Sequence, residues 1–564
     1  MAARHAVVSG HYWASQAGFQ ILEAGGNAFD AGVAVGLATN VLESEMTCFA
    51  GVAPSMMRVA ATGETINFVG VGPWPQAASA AYFRDHHGGK IPQGLLNCVV
   101  PAAPDIWLSV LERFGTFSFA DVAAPAIRFA RDGFPMYPFM AEVLDSHREE
   151  FQGYRDTANI FLPGGELPRV GELFYQTDLA KTLQFLVDEE GAAGGSREAG
   201  ISAARRAFYH GDIASAIVAQ QREYGGLMTR EDLSGFRAQT EAPVKARFGE
   251  YDVFGCGPWS QGPMVLMALQ MLDGLDLGAL EHNDCEYVHR VVEALKLAAA
   301  DREAYFGDPD KVDVPLAELM SDAYCAARRV EIGERACAQL PNAGPISGVV
   351  PPAWVPDPSS NDVPGITAAG LETSYFCVID AAGNLFSATP SDPTISGMVI
   401  PGTGLTTSMW GSRGHTDESH PARVGPGWRP RMSANPMLAI HDNGDLYPIG
   451  SPGSEVLGQA QLQVFLNMAV FGMDPQRAVE APRFASYGWP ASAVPHSYSP
   501  GEVKLEALIG EPVGSALSAR GHRVTWWPER TWRAGSVGTM HRNGATGVLH
   551  AGADPRRSAY AIGW

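Results

Sequence analysis

Along the first 45 residues, apolar positions recur at helical spacing. Ser15 to Ala24 reads as a helix that Gly25-Gly26 interrupts, and Asp30 opens a second over AGVAVGLATNVLE. The small residues of that second run leave room for another element to pack closely. Ser55–Ala60 and Thr65–Gly70 alternate as strands around a Thr62-Gly63-Glu64 turn, which predicts a hairpin. From about residue 105 to 245 the pattern is mainly helical, with loops expected at 162–165 and 191–196. Cys285 to Phe306 reads as an amphipathic helix with Val288, Val291, Val292 and Leu295 on one side.

The pattern then changes. Residues 342–370 are rich in Pro, Gly, Ser and Asn and have no period, as expected of an extended linker. Three strand pairs follow: Ser374–Asp380 with Leu385–Thr389, Pro436–His441 with Leu446–Ile449, and Val537–His541 with Thr546–Ala551. Each pair flanks a turn with Gly or Asn-Gly, which predicts one sizeable antiparallel sheet. With so many helices beside it, a layered α/β sandwich is the natural class.

Composition narrows the chemistry. The 564 residues carry a net charge of −21, which disfavours nucleic acid or an anionic membrane surface as a partner. Seven cysteines without a CxxC pair argue against a disulfide framework or zinc ribbon. No apolar run reaches the roughly 18 residues of a membrane span. The N-terminus lacks the charged head and apolar stretch of a secretion signal, so a cytoplasmic location is expected.

There is no GxSxG, HExxH or phosphate-binding glycine loop. The fifteen histidines do not pair at ligand spacing, and His289 reads as structural or exposed. Thr373 stands out, placed between the linker and the first residue of a strand. A Thr hydroxyl is a poor nucleophile without a base. Its own α-amino group, with a pKa near 8, serves as one if the chain is cut before it. β-propensity alone also accounts for a Thr at a strand start.

The stretch ETSYFCVIDAAGN around Thr373 resembles the maturation site of the γ-glutamyltransferase family (glutathione hydrolases) of N-terminal nucleophile (Ntn) hydrolases. GGNAFDAGVAV, PAIRFARDGFP, FYHGDIA, GGLMTREDLSGF, ADREAYFGDP, GSPGSE, EAPRF and DPRRSAYAIGW match in the family's order along nearly the whole chain. The resemblance implies a four-layer αββα sandwich, formed as one composite domain by two chains cut from one precursor at Glu372-Thr373. These are a large chain 1–372, including the linker 342–372, and a small chain 373–564. They would form a heterodimer, with further pairing open. It implies Thr373 as nucleophile, its amine as base and no cofactor or metal. Ser391 stands where the family keeps a hydroxyl that positions the nucleophile. Gly453 and Ser454, in place of the family's Gly-Gly, would offer oxyanion N–H groups at the start of a helix over Glu455–Phe471. Ser433 matches one of two substrate-binding serines; Met432 replaces the other.

Departures from the family bear on the substrate. Val69 stands where an Arg grips the donor's α-carboxylate. The residues that read the α-amine fall on Pro393, Ser408 and Gly411; only Ser408 can accept from an ammonium, and no carboxylate is left. Losing a charge-assisted pair costs about 1.5–3 kcal/mol, so glutathione is not the expected substrate. Arg413 and Arg431 flank the expected site and suit a carboxylate; ion pairing with the abundant acids is their alternative role. Trp410, Met432 and Trp259 add apolar surface. A small acid amide of the oxamate type fits the arginines, and a bulkier N-acyl or β-lactam side chain fits the tryptophans. A true γ-glutamyltransferase with a rebuilt clamp, and an inactive relative acting as a binding protein, stand as alternatives.

Overall fold

A computed structural model describes residues 1–351 and 372–564. Most of the linker 342–372 therefore lies outside the described residues. Two antiparallel sheets stack face to face, each covered on its outer side by helices. The first has seven strands, in the order Tyr560–Gly563, Ala6–Ser9, Phe376–Ile379, Leu385–Ala388, Ser55–Arg58, Thr65–Phe68 and Thr240–Glu241. The second has six, in the order Leu549–Ala553, Gly538–Arg542, Leu446–Gly450, Met437–His441, Tyr251–Gly255 and Val244–Phe248. This is the αββα sandwich. The three predicted hairpins all form, but divide between the two sheets rather than sharing one: the first joins the seven-stranded sheet, the other two the six-stranded sheet.

Side-chain alternation builds the layers. In the strand Phe376–Ile379, Phe376 and Val378 face the first helical layer while Cys377 and Ile379 face the second sheet. Met437 and Ala439 face the second helical layer, and Leu438 turns back between the sheets. Both faces of each sheet are therefore apolar.

The first two helices span Tyr12–Glu23 and Ala28–Leu42, the second starting on a capping box between Asn27 and Asp30. Every residue of the second is buried. Its small residues are where other elements come close, and a Cβ on Gly32 would lie 2.0 Å from the Phe386 ring. The helix Thr177–Ala193 runs into the expected loop at 191–196, which shortens accordingly. The helix Cys285–Tyr305 is not amphipathic, because it is covered on nearly all sides. Its buried charges are paired: Lys296 with Glu293 at 2.7 Å and Arg302 with Glu455 at 2.8 Å.

Gly32→Ala is expected to destabilise the fold by about 1–3 kcal/mol through overpacking against Phe386. Chemical denaturation of the two proteins measures it.

Candidate active site

Strand pairing places the nucleophile candidate. The hairpin sets Phe376 opposite Ala388. Continued past the strand ends, that register sets Ser374 opposite Pro390, whose carbonyl accepts from the Ser374 N–H at 2.9 Å, and Thr373 opposite Ser391. The Thr373 and Ser391 hydroxyls lie 2.8 Å apart and both are buried. The Thr373 carbonyl accepts from Arg557 Nη1 at 2.9 Å, and its N–H donates to Met46 O at 3.2 Å.

Thr373 has φ 119°. A β-branched residue there is strained, by about 1–3 kcal/mol. Three neighbours also have positive φ: Asp392 at 76°, Gly453 at 126° and Ser454 at 49°.

Glu372, Asp392, Arg413, Gly453 and Ser454 line one cavity of about 390 Å³, together with Tyr487, Trp489, Tyr498 and others. Thr373 is not in its lining; in the uncut chain its neighbour Glu372 is. Among the described residues, neither the Gly453 nor the Ser454 N–H donates to a protein acceptor. A short 3-10 turn over Ser454–Val456 leads into the helix Leu457–Ala469, later and shorter than the predicted start at Glu455. Glu455 is anchored from below by Arg302.

The remaining candidates divide. Arg413 lies in the cavity wall, its guanidinium 3.8 Å from the ring centre of Trp410, with Nη1 on Ser412 Oγ at 2.7 Å and Nη2 3.5 Å from Glu372 Oε2. Trp410 is fully buried behind it. Arg431 points into the interior, where Nη2 meets Glu303 at 2.7 Å and Nη1 meets Arg302 O at 3.0 Å. Arg431, Ser433 and Trp259 are buried outside the cavity lining. Val69 is buried in one apolar cluster with Trp74, Trp259, Trp410 and Met432. Gly411 has no room for a side chain, since a Cβ there would lie 2.3 Å from Asn97 O.

One expectation is corrected. A carboxylate does remain beside Ser408: Asp392, whose Oδ2 accepts from the Ser408 hydroxyl. Burial lifts its pKa to about 6, against the pull of Ser408 and Arg413. Sequence reading missed it because it sits one residue before the aligned position. Glu43 and Arg557 were missed as well. Glu43 accepts from Ser374 Oγ at 2.8 Å, and Arg557 belongs to the C-terminal motif DPRRSAYAIGW.

The histidines also meet in ways their spacing hides. His289, Glu293 and His522 form one buried group, and Glu303, His415 and His420 another. Lys296 crowds the first and Arg431 the second, a setting unsuited to a divalent cation.

The family model described as Gamma-glutamyltranspeptidase matches residues 14–564. The chain is 31% identical over 541 residues to the acylase ACY 1 proenzyme of a Pseudomonas species, covering 93% of this chain and 88% of that one. It is 31% identical over 563 residues to the glutathione hydrolase-like YwrD proenzyme of Bacillus subtilis, covering 99% and 98%. Among solved structures, the cephalosporin acylase of Bacillus halodurans superposes with a TM-score of 0.86 at 27% identity, over 100% of this chain and 96% of that one.

Ser391→Ala removes the one side chain that, among the described residues, meets the Thr373 hydroxyl. It is expected to slow chain cleavage by roughly 5- to 150-fold, the rate equivalent of 1–3 kcal/mol, with Ser391→Thr close to wild type. Time-resolved gel electrophoresis reads both. A second expectation concerns pH. Burial lifts Glu43 to about 7, and burial together with Glu43 lifts Glu45 to about 8. Both are easier to protonate when folded, so their contribution to stability is full below about pH 4.5 and is lost as pH rises through 7 and 8. Glu45→Gln is expected to flatten that decline in urea denaturation across the range.

Proposed function

Because the chain belongs to the gamma-glutamyltranspeptidase family, we propose that it is an Ntn amidohydrolase cut before Thr373, hydrolysing the amide of a small acid or N-acyl group through an acyl-Thr373 ester. The observation that carries this reading is the strained Thr373 with its hydroxyl 2.8 Å from Ser391. The proenzyme names of its relatives support processing, and their hydrolase and acylase names support amide cleavage.

In maturation, the Thr373 oxygen bonds to the Glu372 carbonyl carbon and the C–N bond breaks. The hydroxyl proton passes to the nitrogen, which becomes the free amine. Water then opens the ester, leaving chains 1–372 and 373–564. In turnover, the freed amine takes the Thr373 hydroxyl proton as the oxygen attacks the substrate carbonyl, and hands it to the departing amine. The Gly453 and Ser454 N–H groups receive the developing oxyanion. Water then releases the acid and restores the hydroxyl. Arg413 is one of three cations in the cavity lining, with Lys504 and Arg523, that could meet a substrate carboxylate, while Arg431 is spent on Glu303.

A second reading rests on Asp392. With Ser408 it offers a negative seat for an ammonium near Arg413, a clamp for a γ-glutamyl group rebuilt from residues other than the family's.

Mass spectrometry is expected to find wild-type small chain beginning at Thr373 and a single intact chain for Thr373→Ala; an intact, active wild type would remove the proposal. Activity should rise with pH to about 8 as the terminal amine loses its proton. Faster release from a γ-glutamyl than from a glutaryl anilide would favour the second reading.

A further inference from the structure

Ser454 carries a backbone that its residue type resists. Its φ is 49°, and that of Gly453 before it is 126°. Glycine adopts such angles freely, whereas an L side chain there is strained, and the strain persists only where the surroundings hold it. Both residues line the cavity, so whatever holds this turn also shapes the cavity wall.

The next residue is placed to do so. Glu455 is buried, and among the described residues four donors converge on its carboxylate. Its Oε2 accepts from Arg302 Nη1 at 2.8 Å, Gln261 Nε2 at 2.9 Å and Trp489 Nε1 at 3.2 Å. Its Oε1 accepts from the Ser492 N–H at 2.8 Å. Arg302 lies in the helix Cys285–Tyr305, and Gln261 directly precedes the helix Gly262–Asp273. Trp489 and Ser492 belong to the loop that follows the strand Phe484–Ser486. Arg302 Nη2 binds that loop as well, donating to Pro490 O at 2.8 Å. The main-chain carbonyl of Glu455 accepts from Gln459 Nε2 at 2.9 Å.

A carboxylate engaged on both oxygens is an anchor rather than a free base. Burial raises its pKa, but Arg302 and the hydrogen bonds around it outweigh that and hold it below the ordinary carboxylate range. It therefore stays charged, and charge-assisted hydrogen bonds are about twice as strong as neutral ones. Together they fix Glu455, and with it the peptide that joins it to Ser454.

We propose that Glu455 is a positioning residue of the oxyanion site: its clasped carboxylate holds the turn so that Ser454 keeps a left-handed backbone. This rests on the oxyanion role proposed above for the Gly453 and Ser454 N–H groups, and adds what sets their direction. Turning either peptide swings its N–H away from the developing charge, which slows the reaction without loosening the substrate.

Two measurements test it. In the first, the cut enzyme is offered the γ-glutamyl or the glutaryl anilide, whichever wild type releases. Glu455→Gln keeps the size of the side chain and removes its charge. It is expected to lower kcat by about tenfold or more, with KM changed less than about threefold. Adding Ser454→Gly is expected to recover most of that loss, because glycine adopts φ 49° without help. A loss carried by KM, an unchanged kcat, or no recovery overturns the proposal. Should Glu455→Gln not fold, Gln261→Met removes one donor and unpairs no charge. It is expected to lower kcat roughly two- to tenfold, with the same recovery by Ser454→Gly, and no fall overturns the proposal. The second measurement compares crystal structures of the uncut Thr373→Ala chain with and without Glu455→Gln. Ser454 is expected at positive φ in the first and away from it in the second; positive φ in both overturns the clamp. If wild type is never cut, or releases neither anilide, the proposed function fails, while the crystals still report on Glu455.

Discussion

A β-branched residue at φ 119° is costly, and the conformation of Thr373 persists because several contacts hold it at once. Ser391 meets its hydroxyl, Arg557 its carbonyl and Met46 its N–H. Two of these partners come from far along the chain, so the strain exists only when the whole sandwich is assembled. On the proposed reading, this is the hydroxyl that takes over the Glu372 acyl group from nitrogen and, once terminal, has its own amine as base.

Buried charge pairs transmit the fold to this point. Arg302 reaches Glu455 just past the Gly453-Ser454 turn, which fixes two free N–H groups in the cavity wall. Arg483 and Arg556 share Asp554, and Arg556 also binds Glu506, so the C-terminal segment that carries Arg557 is locked from both sides. Breaking such a pair leaves an uncompensated buried charge, typically worth 3–5 kcal/mol. The segments clasp one another in pairs: Arg302 of ADREAYFGDP with Glu455 of GSPGSE, and Arg483 of EAPRF with Asp554 of DPRRSAYAIGW.

The charges around the cavity are set among hydrocarbon and acid. Val69 lies in a buried apolar cluster, and Arg413, backed by Trp410, supplies a cation in the cavity wall. Asp392 and Glu372 bring acid close to it, each with a pKa raised by burial. A pocket holding both signs at short range selects by geometry as much as by charge.

The sequence alone carried much of this. Hydrophobic periodicity and turn residues located the first helices and all three late hairpins, while Ser391 was reached through the family resemblance and only the structure set it across from Thr373. Motif order carried the family. Spacing was silent on whatever depends on distant segments meeting. The hairpins part between two sheets because neither Leu385–Ala388 nor Met437–His441 encodes its other neighbour. Arg413 and Arg431 look alike in sequence, yet one lines the cavity and the other is spent on Glu303, a residue more than a hundred positions away. Local pattern fixes which face of an element is apolar. Only packing decides which buried charges find each other, and that choice makes the site.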